Sequence, residues 1–310
     1  MDSQLMDIQP LVIDEGLRTL IALAVREDSG AGDKTVELAI DPDARGEARI
    51  VARRDGVIAG TPLIEPILAA YGGGVDIALH VADGSRVAPQ TPVATLRGPV
   101  GRILTAERVL LNFLGHVSGV ASATRRYVDA VAAVTGARGK PPAICDTRKT
   151  TPGFRALDKY AVRCGGGVND RIGLHDGVML KDNHLAALRE KLGRSTLGQL
   201  TRGIRAQLAT DILLWLEVDT LEQLRDELAN RGGADVVLLD NFSTEQMKQA
   251  VALRDAASNS SGRPLLEASG GITLETLRTI AETGVDRLSI GALTHSAPVL
   301  DLSMDWGSEP

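Results

Sequence analysis

The spacing of apolar positions changes twice along the chain, and the changes mark three stretches. A helical pattern from about Asp14 to Arg26 leads into a Gly- and Asp-rich turn at residues 28–33, where Asp33 and Thr35 read as turn and helix cap. Short β-branched runs follow at Ala48–Arg53, Gly56–Ala59, Val75–Val81 and Val93–Arg97; Gly, Pro and Asp punctuate them, which predicts an antiparallel sheet. From Ile103 to about Val134, the positions Ile103, Ala106, Leu110, Phe113, Leu114 and Val117 recur at helical spacing. They predict a long helix with one buried face that bridges two domains and has Thr105 at its cap or first turn. After Lys140, strands expected at Ala143–Thr147, Gly177–Lys181, Leu213–Val218, Asp235–Asp240, Leu265–Ser269 and Arg287–Gly291 alternate with helical runs. Those runs are Phe154–Cys164, Thr196–Ala209, Thr220–Ala229, Thr244–Ala257 and Leu274–Thr283. Repeated β-α units of this length predict a parallel sheet with helical crossovers, either an α/β barrel or an open doubly wound sheet.

Composition narrows the class. The 310 residues have room for two domains, and 44% hydrophobic with 24% charged residues is ordinary globular usage, which excludes disordered and fibrous chains. Thirty-four basic against 40 acidic residues leave a net charge of −6, and aromatics are only 3%. Neither a nucleic-acid surface nor a membrane-surface binder is expected, so an anion would need a local basic pocket. Cys145 and Cys164 are too few for a disulfide framework and lack metal-ligand spacing, so both read as buried thiols. Met1-Asp2-Ser3-Gln4 does not open a secretory signal, and no apolar run reaches about 18 residues. A soluble protein of the cytoplasm is the expectation. The segment Val81–Val87 resembles the turn of biotinyl and lipoyl carrier domains but lacks a lysine at a hairpin tip, so carrier function is not expected.

The strand ends carry the chemistry. In parallel α/β folds every strand C-terminus points to one face, where ligands bind. Here those ends read Asp146-Thr147-Arg148-Lys149, Lys181, Glu217, Asp240, Ser269-Gly270-Gly271 and Ile290-Gly291-Ala292. Apolar strands gain nothing by ending in unpaired charge, so six polar ends in series point to a site. Arg148, Lys149, Arg171 and Lys181 form a basic group suited to an anionic ligand. The two glycine turns suit a phosphate. Glu217 and Asp240 are placed to hold a divalent cation, accept sugar hydroxyls or face a developing cation. Together these features read as an enzyme acting on a phosphorylated sugar.

Several of these motifs resemble those of the quinolinate phosphoribosyltransferase family: Asp146-Thr147-Arg148-Lys149-Thr150-Thr151-Pro152-Gly153, Lys159-Tyr160-Ala161-Val162, Gly165-Gly166-Gly167, Lys181-Asp182-Asn183-His184, Leu239-Asp240-Asn241-Phe242 and Ser269-Gly270-Gly271. The resemblance runs in order from Glu27-Asp28 to Gly291–Ser296. It implies an N-terminal α/β sandwich domain (residues 1–118) followed by an incomplete, six- to seven-stranded α/β barrel (residues 119–310), with the C-terminal tail packing back on the first domain. It implies a head-to-tail homodimer in which Arg108, from the Thr105–Arg108 helix start, reaches the partner's site. The implied reaction joins quinolinate to phosphoribosyl pyrophosphate with release of pyrophosphate and carbon dioxide, giving nicotinate mononucleotide for NAD biosynthesis. By the resemblance, Arg108, Arg148, Lys149, Arg171 and Lys181 bind substrate anions, with Lys149 and Lys181 also counted as catalytic. Glu217 and Asp240 are likewise counted as catalytic: they face the ribose and serve magnesium, directly or through water, while Ser269, Gly270, Gly271, Gly291 and His295 surround the phosphate.

One position departs from the family pattern. After Gly165-Gly166-Gly167-Val168-Asn169 the family carries His-Arg, and this chain carries Asp170-Arg171. An aspartate at a carboxylate-binding position repels a dianion by about 1 kcal/mol in water and about 4 at an effective dielectric of 20, for charges about 4 Å apart. Three compensations are open: pairing with Arg171 or Lys181, protonation, or a changed substrate preference. On this reading Asp170→His raises kcat/KM for quinolinate. Nearby His175 reads as an ordinary loop histidine, Asn183 and His184 as bracing or substrate-touching, and His80 and His116 as core histidines. Two alternatives stay open: a same-fold phosphoribosyltransferase with another acceptor, like the paralogue beside molybdate transport genes, and a catalytically weakened binding protein.

Overall fold

The computed structural model describes residues 8–136, 138–192, 195–257 and 264–307; the Met1–Gln4 reading lies outside them. The chain opens with helix α1 (Glu15–Ser29), where the Asp14 carboxylate accepts the Leu17 N–H at 2.8 Å. Helix α2 (Lys34–Ala39) follows, capped as expected by Asp33, which accepts from the Thr35 and Val36 N–H groups, each at 3.0 Å. Next come β1 (Arg45–Ala52), β2 (Gly56–Val57), α3 (Ile64–Ala70), β3 (Asp76–Leu79), β4 (Arg86–Val87) and β5 (Pro92–Pro99). Strands β1 and β3 both pair antiparallel with β5, as the alternating runs predicted. The carrier-like turn is structural: Asp83 accepts the Gly60 N–H at 2.7 Å, the Thr61 N–H at 3.1 Å and the Tyr160 hydroxyl at 2.6 Å.

The long helix α4 (Val100–Val131) begins earlier than its apolar stripe. Pro99 ends the preceding strand without needing an N–H partner, and Val100 donates to the Ala44 carbonyl at 2.9 Å. Thr105 is therefore inside the helix rather than at its cap, with its hydroxyl 2.9 Å from the Gly101 carbonyl and 3.0 Å from Asp33 Oδ2. The predicted stripe from Ile103 to Val117 is buried.

Beyond α4 the order is β6 (Ala143–Cys145), α5 (Arg155–Cys164), β7 (Gly177–Leu180), α6 (Asp182–Leu192), α7 (Leu197–Arg205), β8 (Leu213–Val218) and α8 (Leu221–Ala229). It continues with β9 (Val236–Asp240), α9 (Thr244–Ala256), β10 (Leu265–Ser269), α10 (Leu274–Ala281), β11 (Arg287–Ser289), α11 (Ala292–His295) and β12 (Leu302–Trp306). Six parallel strands form one sheet in the order β6-β11-β10-β9-β8-β7. The first strand thus pairs with the last, and every other neighbour is consecutive. A doubly wound sheet would place an early strand centrally. The observed order is that of a barrel left open between its first two strands, which resolves the choice the periodicity left open. Capping boxes at Thr196–Gln199, Thr220–Gln223 and Ser243–Gln246 start α7, α8 and α9.

Two compact units are assembled from discontinuous segments. One takes the chain to Arg125, Thr150–Gly166 and the residues from Leu293 onward; the other takes Arg126–Lys149 and Gly167–Ala292. Helix α5 and strand β12 belong to the first unit, where β12 pairs antiparallel with β1 to give the order β12-β1-β5-β3. Among the described residues no helix is long and apolar enough to cross a membrane. Both cysteines are buried and free.

Candidate active site

The site is built at the C-terminal ends of the barrel strands. Registers Leu180↔Leu216, Glu217↔Leu238 and Asp240↔Ser269 bring Lys181, Glu217, Asp240 and Ser269 to the same end of β7, β8, β9 and β10. The Lys181 ammonium sits 2.8 Å from Glu217 Oε2. The lysine side chain is 44% exposed and the glutamate side chain 10%, so the carboxylate is fixed and the ammonium is free to re-aim. His184 Nδ1 accepts the Lys181 N–H at 3.1 Å and thereby braces the strand end; Asn183 is exposed.

Asp240 is half-buried and takes a hydrogen bond from Asn241 Nδ2 at 2.7 Å. Asn241 adopts a left-handed backbone (φ 54°), and its N–H donates to the Ser269 carbonyl at 2.9 Å. Against it lies Gly270, with φ 102°, where a Cβ would fall 2.2 Å from Asn241 Oδ1. Only glycine fits that approach. The glycine turn after β10 is thus locked to the carboxylate after β9.

The basic residues rest on a buried carboxylate. Asp146 is fully buried and accepts from Asn169 Nδ2 at 2.6 Å and from the Asp170 N–H at 2.9 Å, tying residues 169–170 to the end of β6. Thr147 Oγ1 accepts the Lys149 N–H at 3.0 Å, tightening the turn that carries Arg148. Arg148 and Arg171 are half-buried and Lys149 is exposed. Arg171 donates to the Gly177 carbonyl at 3.2 Å, while its Nε and that of Arg148 are buried with no hydrogen-bond partner. Burial first, and the neighbouring Arg148 charge second, lower the Arg171 pKa. Two neighbouring arginines, each with an unpartnered Nε–H, suit an anionic ligand.

Asp170 departs from the expected pairing with Arg171 or Lys181. Its carboxylate is buried and ion-paired with Arg287. Arg287 Nε also donates to Glu267 Oε2 at 2.7 Å across the β10–β11 register. Burial, followed by the Glu267 charge, pushes the Asp170 carboxyl up to about 8. Burial likewise pushes the Cys145 thiol well up. The side chains of Cys145, Asp170 and Glu267 lie within 4.8 Å of one another, the one such group of three ligand-type side chains among the described residues. Arg287 already supplies the positive charge there. Among the described residues Glu217 and Asp240 are in no such group; two carboxylates suit an ion carried largely by substrate phosphates and water. The sequence reading overlooked Glu267 and Arg287. The available signal was a charge inside an apolar strand, in Leu265-Leu266-Glu267-Ala268 and Arg287-Leu288-Ser289.

The other expected residues are placed as follows. Gly291 is half-buried ahead of α11. His295, in the first unit, is exposed, with Nδ1 2.6 Å from Ser296 Oγ. Arg108, also in the first unit, is 64% exposed and lies inside α4 rather than at its start, 3.9 Å from Glu107. His116 Nε2 is 2.7 Å from the buried Asp158, with its ring edge against Phe154. His80 is exposed rather than in the core, although its Nε2 lies 2.7 Å from Thr95 Oγ1. His175 is exposed, in the loop that Asp176 closes by accepting from Ile172 and Gly173 N–H.

Residues 33–118 match the family model for the quinolinate phosphoribosyl transferase N-terminal domain, and residues 120–305 match that for its C-terminal domain. The chain is 40% identical to the probable nicotinate-nucleotide pyrophosphorylase [carboxylating] of Bacillus subtilis, over 93% of each chain. It is 40% identical to the nicotinate-nucleotide pyrophosphorylase [carboxylating] of Mycobacterium leprae, over 94% of this chain and 97% of that one. The solved structure of NadC from Streptococcus pyogenes is 33% identical and superposes with a TM-score of 0.83, over 97% of this chain and all of that one. Both domains in order, over nearly the full length and on the same fold, place this chain in the quinolinate phosphoribosyltransferase family.

Proposed function

We propose that the chain transfers the phosphoribosyl group of phosphoribosyl pyrophosphate to quinolinate with decarboxylation, giving nicotinate mononucleotide, pyrophosphate and carbon dioxide, in the cytoplasm. The observation that supports this reading is the pair of half-buried arginines, Arg148 and Arg171, each with an unpartnered Nε–H, on the same unit as the carboxylates of β8 and β9. Quinolinate is a dianion. Arg148 and Arg171 offer it forked donors, and Lys181 a point charge that exchanges Glu217 for substrate. Lys149 adds a contact to substrate anions from its exposed turn.

As the bond from ribose to pyrophosphate stretches, the sugar carbon gains oxocarbenium character. Glu217 and Asp240 bind ribose hydroxyls and lie where that positive charge develops. Glu217 and Asp240 would hold magnesium directly or through water, and the ion when bound would neutralise charge on the leaving pyrophosphate. Ser269, Gly270, Gly271 and Gly291 present backbone to the phosphate ahead of helical turns. Attack by the pyridine nitrogen forms the N–C bond and expels pyrophosphate. The ring nitrogen then carries positive charge, which stabilises the carbanion left as carbon dioxide departs, and a proton replaces it. The chain acts as a homodimer, each subunit lending Arg108 to the other's site. The test is incubation of the purified protein with phosphoribosyl pyrophosphate and magnesium, plus quinolinate or nicotinate. Pyrophosphate and carbon dioxide in equal amounts from quinolinate alone support the reading; pyrophosphate release with nicotinate and none with quinolinate overturns it.

A further inference from the structure

Asp170 is a buried acid beside the basic residues of the site, and its environment contains a charge that answers it. Glu267 on β10 and Arg287 on β11 are register neighbours, and Arg287 bridges Glu267 and Asp170 in one buried cluster. Exposure falls from 12% for the Arg287 side chain to 7% for Asp170 and none for Glu267. The groups facing Asp170 are Glu267 from β10, Arg287 from β11, Cys145 and Asp146 from the end of β6, and Arg171 beside it. Asp170 also hands its N–H to Asp146, so the cluster runs from β10 and β11 to the turn that starts at the end of β6. Arg148 is two residues beyond Asp146, and Arg171 immediately follows Asp170.

We propose that Arg287 is a positioning residue for the acceptor's acid groups: by holding Asp170 against Glu267 it fixes the Asn169–Arg171 segment and aims Arg171 and Arg148 at one carboxylate. This rests on the quinolinate reading above. With Arg287 removed, two buried carboxylates face one another with no cation between them. The segment then moves, or the carboxylates take up a proton; either change reaches Arg171 through the backbone. The pair Asp170–Arg287 is thus a unit, and altering one partner alone is worse than altering both.

The experiment compares Arg287→Met, Arg287→Lys and the double variant Asp170→Asn/Arg287→Gln with the unaltered enzyme. Arg287→Met is expected to raise KM for quinolinate about tenfold or more, increasingly so as pH rises, with KM for phosphoribosyl pyrophosphate within about threefold. The double variant recovers much of that loss. Should Arg287→Met fail to fold, Arg287→Lys keeps the charge without the two-armed grip and is expected to show a smaller rise in the same constant. A second readout needs no substrate: nitrogen-15 NMR of the arginine Nε–H groups, assigned by Arg148→Lys and Arg171→Lys, shifts both signals in the Arg287 variants. Unchanged KM for quinolinate, or a double variant no better than Arg287→Met, overturns the proposal, as do unmoved arginine signals. Failure of the unaltered enzyme to consume quinolinate overturns the activity instead, and the NMR comparison still decides the positioning role.

Discussion

Lys181 and Asp170 show how neighbouring charges divide the work at residue scale. The Lys181–Glu217 pair is partly exposed, so its net contribution to stability is small. On the proposed function its value is electrostatic: the lysine holds a carboxylate in place until an acid substrate arrives. Replacing Lys181 by Ala is expected to lower turnover of quinolinate about 100-fold or more, with the melting temperature little changed, because one charge-assisted contact of about 1.5–3 kcal/mol and its geometry are lost. Steady-state kinetics beside a thermal melt checks this; a turnover within about threefold of the parent would remove Lys181 from the site. For Asp170 the structure reverses the expectation drawn from sequence. A histidine there takes away one of the two carboxylates that grip Arg287 and leaves Glu267 alone to hold it inside the buried cluster, a destabilising change. Asp170→His is therefore expected to lower both kcat/KM and the melting temperature. The parent's stability carries a matching pH signature. A carboxyl raised to about 8 binds its proton more tightly folded than unfolded, so its contribution falls as pH rises from about 4 to about 8. Melts of Asp170→Asn across that range should show a flatter profile; an unchanged profile would contradict the assignment.

The elements were legible where periodicity and caps coincide. Strands β8 and β10 fall at the bounds read from alternation and length, and Thr220 caps α8 where expected. Three kinds of element escaped. Helix α3 is only seven residues long and follows a Pro-containing turn, too short for a repeat to register. Strand β2 falls within the run read at Gly56–Ala59, whereas the two-residue β4 is defined by its pairing with β2 alone. Strand β12 carries Asp305 and ends in Trp306, and it becomes a strand because β1 offers it an edge. The charges gathered at one end of the sheet were legible because a charge closing an apolar run has no packing reason. Glu267 and Arg287 were not, since single charges inside short strands read as noise until their register is known. The glycine turn after β10 gives the prediction at this scale. In Gly270→Ala the new Cβ meets Asn241 Oδ1 in a left-handed backbone, a strain of about 1–3 kcal/mol that shifts Asp240. KM for phosphoribosyl pyrophosphate should rise about tenfold while quinolinate binding holds, read by varying each substrate in turn. An unaffected KM would separate this turn from the phosphate.

At the scale of the whole molecule, the sequence pointed to a barrel or an open sheet, and strand order decided for a barrel missing one closure. What periodicity could not carry is that distant segments share a unit: α5 and β12 join the first, while the chain crosses to the second within α4. Arg108 belongs at this scale, since its side chain is exposed and its nearest carboxylate is its own neighbour. If subunits exchange arginines, mixing inactive Arg108→Ala with inactive Lys181→Ala should restore about a quarter of the parent activity, because half the dimers are mixed and each has one intact site. No recovery after verified subunit exchange would count against the shared site.

The central claim is that cations at the strand ends select a doubly charged pyridine acid. Calorimetric titration of quinolinate and of nicotinate into the parent and into Arg148→Met measures it directly. The account predicts that the parent binds quinolinate at least about 100-fold more tightly than nicotinate, a gap of about 2.7 kcal/mol that shrinks with added salt and largely closes in the variant. Equal affinity for the two acids in the parent, or a gap that survives loss of Arg148, would contradict it.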